Sequence, residues 1–178
     1  MRAKAGRRSA RRVETCGIQA YLDIETTGLD PHVSDLTVIG ICRDDGEKLN
    51  MLQLVGDEIT PQNLREAIED VKTVLTYNGE RFDLPFIKVR LGVDILENCR
   101  HRDLMHDCRR RNLWGGFKSV ERQLGIVRAT EGVDGRVAID LWYDYVRNGN
   151  RDSLLRLLEY NREDVLNLRT LRRKLDGV

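Results

Sequence analysis

Residues 17–26, GIQAYLDIET, alternate apolar positions with others and are rich in strand formers, and residues 35–44, DLTVIGICRD, repeat the pattern after a turn marked by Gly28 and Pro31. Asp45-Gly46 is a hairpin signal leading into 47–55, EKLNMLQLV, so the first third predicts three consecutive antiparallel strands. The pattern then changes. Thr60-Pro61 supplies a cap and a first-turn proline to a helix on which Leu64, Ala67 and Ile68 share a face, and 72–77, KTVLTY, reads as a short buried strand. FDLPFIKVRLG reads as a helix entered near Pro85. Residues 100–112 predict a short strand around Asp103 and an exposed helical segment, and Gly115-Gly116 precedes a helix, FKSVERQLGI, stopped by Gly125. Residues 129–138 read as a loop, and 139–175 as helical with a break at Asn148-Gly149-Asn150. Three antiparallel strands followed by helix–strand alternation imply an α/β fold, a mixed sheet flanked by helices.

Two acids interrupt the first strand. In Leu22-Asp23-Ile24-Glu25 the carboxylates stand at i and i+2 and so project from one face. Adjacent carboxylates repel and lose hydration when partly buried, which a strand interior tolerates when a cation neutralises them; an exposed edge face is the alternative. Oxygen-only ligation favours Mg²⁺ or Mn²⁺ over zinc. Asp83 is enclosed by Phe82, Leu84 and Phe86, fitting either a helix N-cap or a metal contact. Tyr160 and Asp164, four residues apart, share a helix face, as an ordinary packing pair also would.

Taken in order, Asp23-x-Glu25-Thr-x-Gly28, Asn78-x-x-x-Phe82-Asp83 and Tyr160-x-x-x-Asp164 resemble the three motifs of the DEDD (DnaQ-like) superfamily of 3′→5′ exonucleases, in the subclass with Tyr before the last aspartate. Tyr77-Asn78-Gly79 through Pro85 is similar to the proofreading domains of family B DNA polymerases. The segments HRDLMHDCRRR and FKSVERQLGI look more like small stand-alone ribonuclease-H-like exonucleases. The resemblance spans roughly residues 15–175 and implies a ribonuclease-H-like fold. It also implies two divalent ions, Mg²⁺ or Mn²⁺, held by Asp23, Glu25, Asp83 and Asp164, with Tyr160 orienting or activating water. Thr26 and Asn78 would contact the terminal nucleotide and Leu29 would wedge against its base. The implied reaction is hydrolysis of single-stranded DNA or RNA to nucleoside 5′-monophosphates. Alternatives are an endonuclease of the same fold, a binding module without catalysis, and a proofreading or repair subunit with a polymerase partner.

Composition adds little that is specific. The chain has 178 residues, 30 basic and 29 acidic, and four cysteines, which predicts one domain in a reducing compartment. No apolar run approaches a membrane span, and the opening MRAKAGRRSARR has no apolar stretch behind its charges, so a cytoplasmic protein is expected rather than a membrane or secreted one. Residues 1–14 read as a basic arm, either contacting nucleic acid or merely disordered, and 15–178 as the exonuclease domain. Arg100, Arg102, Arg109, Arg110, Arg111 and Lys118 form the densest basic region of that domain, a phosphate-binding surface or a solvated helix face. Asp103 would serve either as a further acid near the metal or as a partner for those arginines. Cys99, His101, His106 and Cys108 could ligate zinc, but their spacing departs from the usual knuckle and ordinary packing is expected.

Overall fold

The computed structural model describes residues 17–130 and 132–177. The basic arm and Cys16 lie outside the described residues. Five strands, β1 (Gln19–Thr26), β2 (Leu36–Asp44), β3 (Leu49–Val55), β4 (Thr73–Thr76) and β5 (Arg100–Asp103), form one sheet in the order β3-β2-β1-β4-β5. β1 is central, antiparallel to β2 and parallel to β4, and β4 is parallel to β5. The mixed sheet is the ribonuclease-H-like arrangement expected from the motifs.

The period-two alternation of β1 sorts its side chains between two cores. Ala20, Leu22 and Ile24 pack with Leu64 and Ala67 of α1 (Pro61–Ala67) and with Phe86 and Ile87 of α2 (Asp83–Leu91). Tyr21 points the other way, among Leu104 and Cys108 of α3 (Leu104–Arg110), Val120 of α4 (Phe117–Gln123) and Val165, Leu168 and Leu171 of α6 (Arg151–Asp176). Asp23 and Glu25 share the face of Tyr21, so the acids of β1 look at α6. No helix of the described residues is long and apolar enough to cross a membrane.

Four local expectations change. Residues 135–138 are helical, because α5 (Gly135–Asn148) starts three residues after Gly132, with the Asp134 carboxylate accepting from the N–H groups of Arg136 and Val137. The helix near 104–110 is not an exposed one: Leu104, Met105 and Cys108 are buried. Asp83 is the first helical residue and not the cap, a position held by Phe82 without a side-chain bond. Asp103 does cap α3, accepting from Met105 N at 3.0 Å.

Gly40 sets how closely α6 can lie on the sheet. It sits opposite Asp23 on β2, with Gln53 opposite it on β3, and α6 passes over this row. A Cβ at Gly40 would collide with Asn161 Oδ1 and come within 2.8 Å of Val165 Cγ2, both on α6. A glycine here admits close approach where any side chain would lift the helix. Gly40→Ala is expected to lower the unfolding free energy by about 1–3 kcal/mol in urea denaturation, the usual cost of overpacking; an unchanged midpoint would show that α6 has room to move.

Candidate active site

The parallel strands end at the site. β4 pairs with β1 only at Gln19, Ala20 and Tyr21, so the C-terminal half of β1 has no strand on that side. Ile24 N–H, freed there, donates to Asp83 Oδ1 at 3.2 Å, which ties the first turn of α2 to β1 and satisfies a buried backbone donor. Asp103, at the C-terminal end of β5, accepts from Asn78 N at 2.8 Å and Glu80 N at 3.2 Å and thereby fixes the loop between β4 and α2. Asn78 occupies the left-handed region at φ 64°, which asparagine tolerates better than most residues. Asp103 therefore holds the loop and pairs with no arginine among the described residues.

Ligand oxygens of Asp23, Glu25 and Asp164 all lie within 4.8 Å of one another. Glu25, Asp83 and Asp164 are buried. Burial and mutual repulsion push the carboxyls of Asp23 and Glu25 well above the ordinary range, with Asp164 the strongest repulsive neighbour of each. Asp83 is pushed up to about 7 by burial, although its own N–H and that of Ile24 favour the charged form. Asp164 is raised by burial and drawn back by Arg128. Buried, oxygen-only and short of positive charge, the cluster fits a hard divalent cation.

Tyr160 lies one turn before Asp164 on α6 and lines a cleft of about 440 Å³ with Asp23, Glu25, Thr26, Leu29, Phe82, Ile139 and Asp164. The sequence-predicted Thr26 and Leu29 thus flank the carboxylates, whereas Asn78 is not among the residues lining the cleft. Leu29 is 84% exposed. Burial and the nearby acids push the Tyr160 phenol far above its ordinary value, so it stays protonated at neutral pH.

Asn161, Arg128 and Glu121 adjoin the acids without a signal in the three motifs, whereas Lys118 belongs to the basic region singled out in the sequence. Asn161 bridges the row beneath α6, donating from Nδ2 to Asp23 Oδ2 at 3.1 Å and accepting from Gln53 Nε2 at 3.0 Å. Arg128 holds Asp164 in a 2.6 Å ion pair and is itself gripped by both oxygens of Glu121, a fully buried acid that Asn167 also contacts. Lys118 Nζ stands 4.5 Å from the centre of the Tyr160 ring and donates to the carbonyl of Val133. The helical spacing of Asn161 with Asp164 and Val165 was a signal available for the first; the others are long-range.

The zinc candidates do not assemble. Cys99 is packed on the α1–α2 side of the sheet and Cys108 on the α6 side, while His101 faces Thr76 and His106 pairs with Glu80.

A profile of the RNase_H superfamily matches residues 20–176. The chain is 28% identical over 167 residues to the uncharacterized protein YprB of Bacillus subtilis (strain 168), covering 85% of this chain and 40% of that protein. It is similar in fold to the family B DNA polymerase of the hyperthermophilic archaeon Pyrobaculum calidifontis, with a TM-score of 0.63 at 18% identity over 85% of this chain and 24% of the polymerase. Brucella melitensis NrnC with bound Mg²⁺ superimposes with a TM-score of 0.61 at 22% identity over 89% of this chain and 72% of NrnC, and NrnC bound to pGG does so with a TM-score of 0.61 at 24% identity. The chain thus spans well under half of the Bacillus relative and of the polymerase.

Two measurements follow from the geometry. Asn161→Ala removes a donor to Asp23 and one of the two acceptors of Gln53 Nε2, which keeps the Leu158 carbonyl, and is expected to cost about 1–3 kcal/mol in urea denaturation; wild-type stability would show that Asn161 does not brace the row. The raised carboxyls give a signed pH dependence. Between an ordinary carboxylate value of ~4 and the folded value of about 7, Asp83 keeps a proton that the unfolded chain has released, so stability is highest below that window and falls through it. In EDTA the melting midpoint is expected to fall from about pH 5 to about pH 8, and added Mg²⁺ is expected to raise it more at the higher pH. A Mg²⁺ effect independent of pH would contradict ligation by these acids.

Proposed function

The chain belongs to the RNase_H superfamily, and from that premise we propose that it is a metal-dependent 3′→5′ exonuclease of the DEDD type, Tyr subclass, acting on single-stranded DNA or RNA. The observation that carries the reading is the convergence of Asp23, Glu25 and Asp164 within 4.8 Å, in a cleft that Tyr160 also lines. Asp83, buried and bonded to the Ile24 N–H between Asp23 and Glu25, would complete the acid set. The Mg²⁺ and the pGG bound by Brucella melitensis NrnC lend support from a protein of similar fold.

Asp23, Glu25, Asp83 and Asp164 would hold two Mg²⁺ or Mn²⁺ ions. When bound, such ions supply charge that makes hydroxide available near neutral pH and stabilises a leaving 3′ oxygen. The protein's own part is placement. Asn161 fixes the orientation of Asp23. Tyr160, kept as a neutral phenol by its surroundings, is a hydrogen-bond donor that orients the attacking water and does not remove its proton. Lys118 and Arg128 supply positive charge on the side of the cleft where Tyr160 and Asp164 stand. Thr26 and the exposed Leu29 line the cleft where a terminal nucleotide would rest. Release of a nucleoside 5′-monophosphate follows when water adds to phosphorus and the bond from phosphorus to the 3′ oxygen of the preceding nucleotide breaks, leaving a 3′ hydroxyl on the shortened strand.

Digestion of 5′-labelled single-stranded DNA and RNA of one sequence tests this. The expected result is a ladder shortening from the 3′ end, abolished by EDTA and by Asp23→Ala and slowed about a hundredfold by Tyr160→Phe. Fragments cut internally, or cleavage that survives EDTA, would sink the proposal.

A further inference from the structure

The segment between α3 and α4 combines groups that the site does not use. α3 ends in Arg109 and Arg110, followed by Arg111, Asn112, Leu113, Trp114 and the Gly115-Gly116 pair. The structure divides the basic cluster in two. Arg102 is engaged by Asp107 and Asp176, and Arg110 by Asp107. Arg109 and Arg111 are exposed and, among the described residues, have no ion-pair partner. Next to these two free charges Trp114 is 59% exposed.

That exposure is not the looseness of an unanchored loop. The carbonyl of Trp114 accepts from Gln123 Nε2 at 2.8 Å, and the carbonyl of Gly115 accepts from the Tyr77 hydroxyl at 2.6 Å. Tyr77 in turn stacks on Phe117 with ring centroids 5.1 Å apart. The backbone is held at several points while an indole that could bury a large apolar area is left facing solvent. Both anchors lead to the carboxylates. Tyr77 precedes Asn78 at the start of the β4–α2 loop, and Phe117 precedes Lys118, which lies over Tyr160. Trp114 and Lys118 are four positions apart, so their Cα atoms are at most ~14 Å apart, a span of no more than about four nucleotides at ~3.4 Å each when stacked.

We infer that Trp114, with Arg109 and Arg111, is a binding platform for the part of a single strand that lies outside the cleft, the indole stacking on a base and the two guanidinium groups neutralising phosphates. The inference rests on the nuclease reading of the cleft and deepens it: the preferred substrate is a strand of several nucleotides and not a dinucleotide. Free arginines beside a fixed, exposed aromatic ring match a polyanion with π faces. A protein partner would match the indole but gives no use to two unpaired cations.

The test compares a labelled dinucleotide with a single strand of about a dozen nucleotides, in wild type, Trp114→Ala, Trp114→Phe and Arg109→Ala/Arg111→Ala. Binding is read by fluorescence anisotropy in EDTA and cleavage with Mg²⁺. Trp114→Ala is expected to weaken binding of the long strand and to raise its KM about tenfold, with kcat unchanged and the dinucleotide unaffected, while Trp114→Phe keeps most of the affinity. The arginine pair is expected to flatten the salt dependence of long-strand binding. Wild-type affinity for the long strand in Trp114→Ala, or equal losses on both lengths, would overturn the platform; the first result would leave the indole for a protein partner. If wild type cuts neither substrate, the nuclease reading fails. Length-dependent loss of binding in Trp114→Ala would support the platform even then.

Discussion

Negative charge packed between β1 and α6 is the constraint on which the rest of the molecule depends. Asp23, Glu25, Asp83 and Asp164 come from a strand, the first turn of a second helix and the middle of the last one; oxygens of Asp23, Glu25 and Asp164 lie within 4.8 Å of one another, and Asp83 is buried against β1. Such a cluster raises its own carboxyl pKa values and opposes folding at neutral pH. The chain answers locally: Arg128 pairs with Asp164, Asn161 with Asp23, and two backbone N–H groups, those of Ile24 and Asp83, with Asp83. These contacts moderate the repulsion and keep the acids in place; they do not cancel it, and the proposed divalent ions would neutralise the rest.

The sheet makes this arrangement possible by being incomplete. β4 covers β1 only at its start, so the second half of β1 can offer a backbone N–H to Asp83 and two side chains to the cleft. The absence of a side chain at Gly40 lets α6 descend until Asn161 reaches Asp23 on one side and Gln53 on the other. On the far side of α6, the loop holding Arg128 is clamped by Glu163, which accepts from the N–H groups of Ala129 and Thr130. A guanidinium so fixed can face Asp164 without the entropy cost of ordering a free arginine.

The strands, their antiparallel start and the acid motifs were legible because they are written in local periodicity and in residue types with few other reasons to be buried. The start of α5 was not, because Asp134-Gly135 is a turn signal by composition. The same dipeptide at Asp45-Gly46 does make a turn, with Gly46 at φ 93°, whereas Gly135 continues into a helix that Asp134 caps. Of the two roles open to Asp83, the cap belongs to Phe82, because the Ile24 N–H, fifty-nine residues away, engages the Asp83 carboxylate. The Asp23–Gly40–Gln53 row and the Arg128–Glu121 pair are matters of register and of loop closure, which no single segment encodes.

Carboxylates on β1 and α6 that are short of positive charge would take it from divalent ions. Titration of the metal-free protein with Mn²⁺, followed by the loss of the free-ion electron paramagnetic resonance signal, asks this without assuming any substrate. Saturable uptake that is lost in Asp164→Asn, with the variant still folded, is the predicted result. No uptake by the wild-type protein, or equal uptake by the variant, would contradict it.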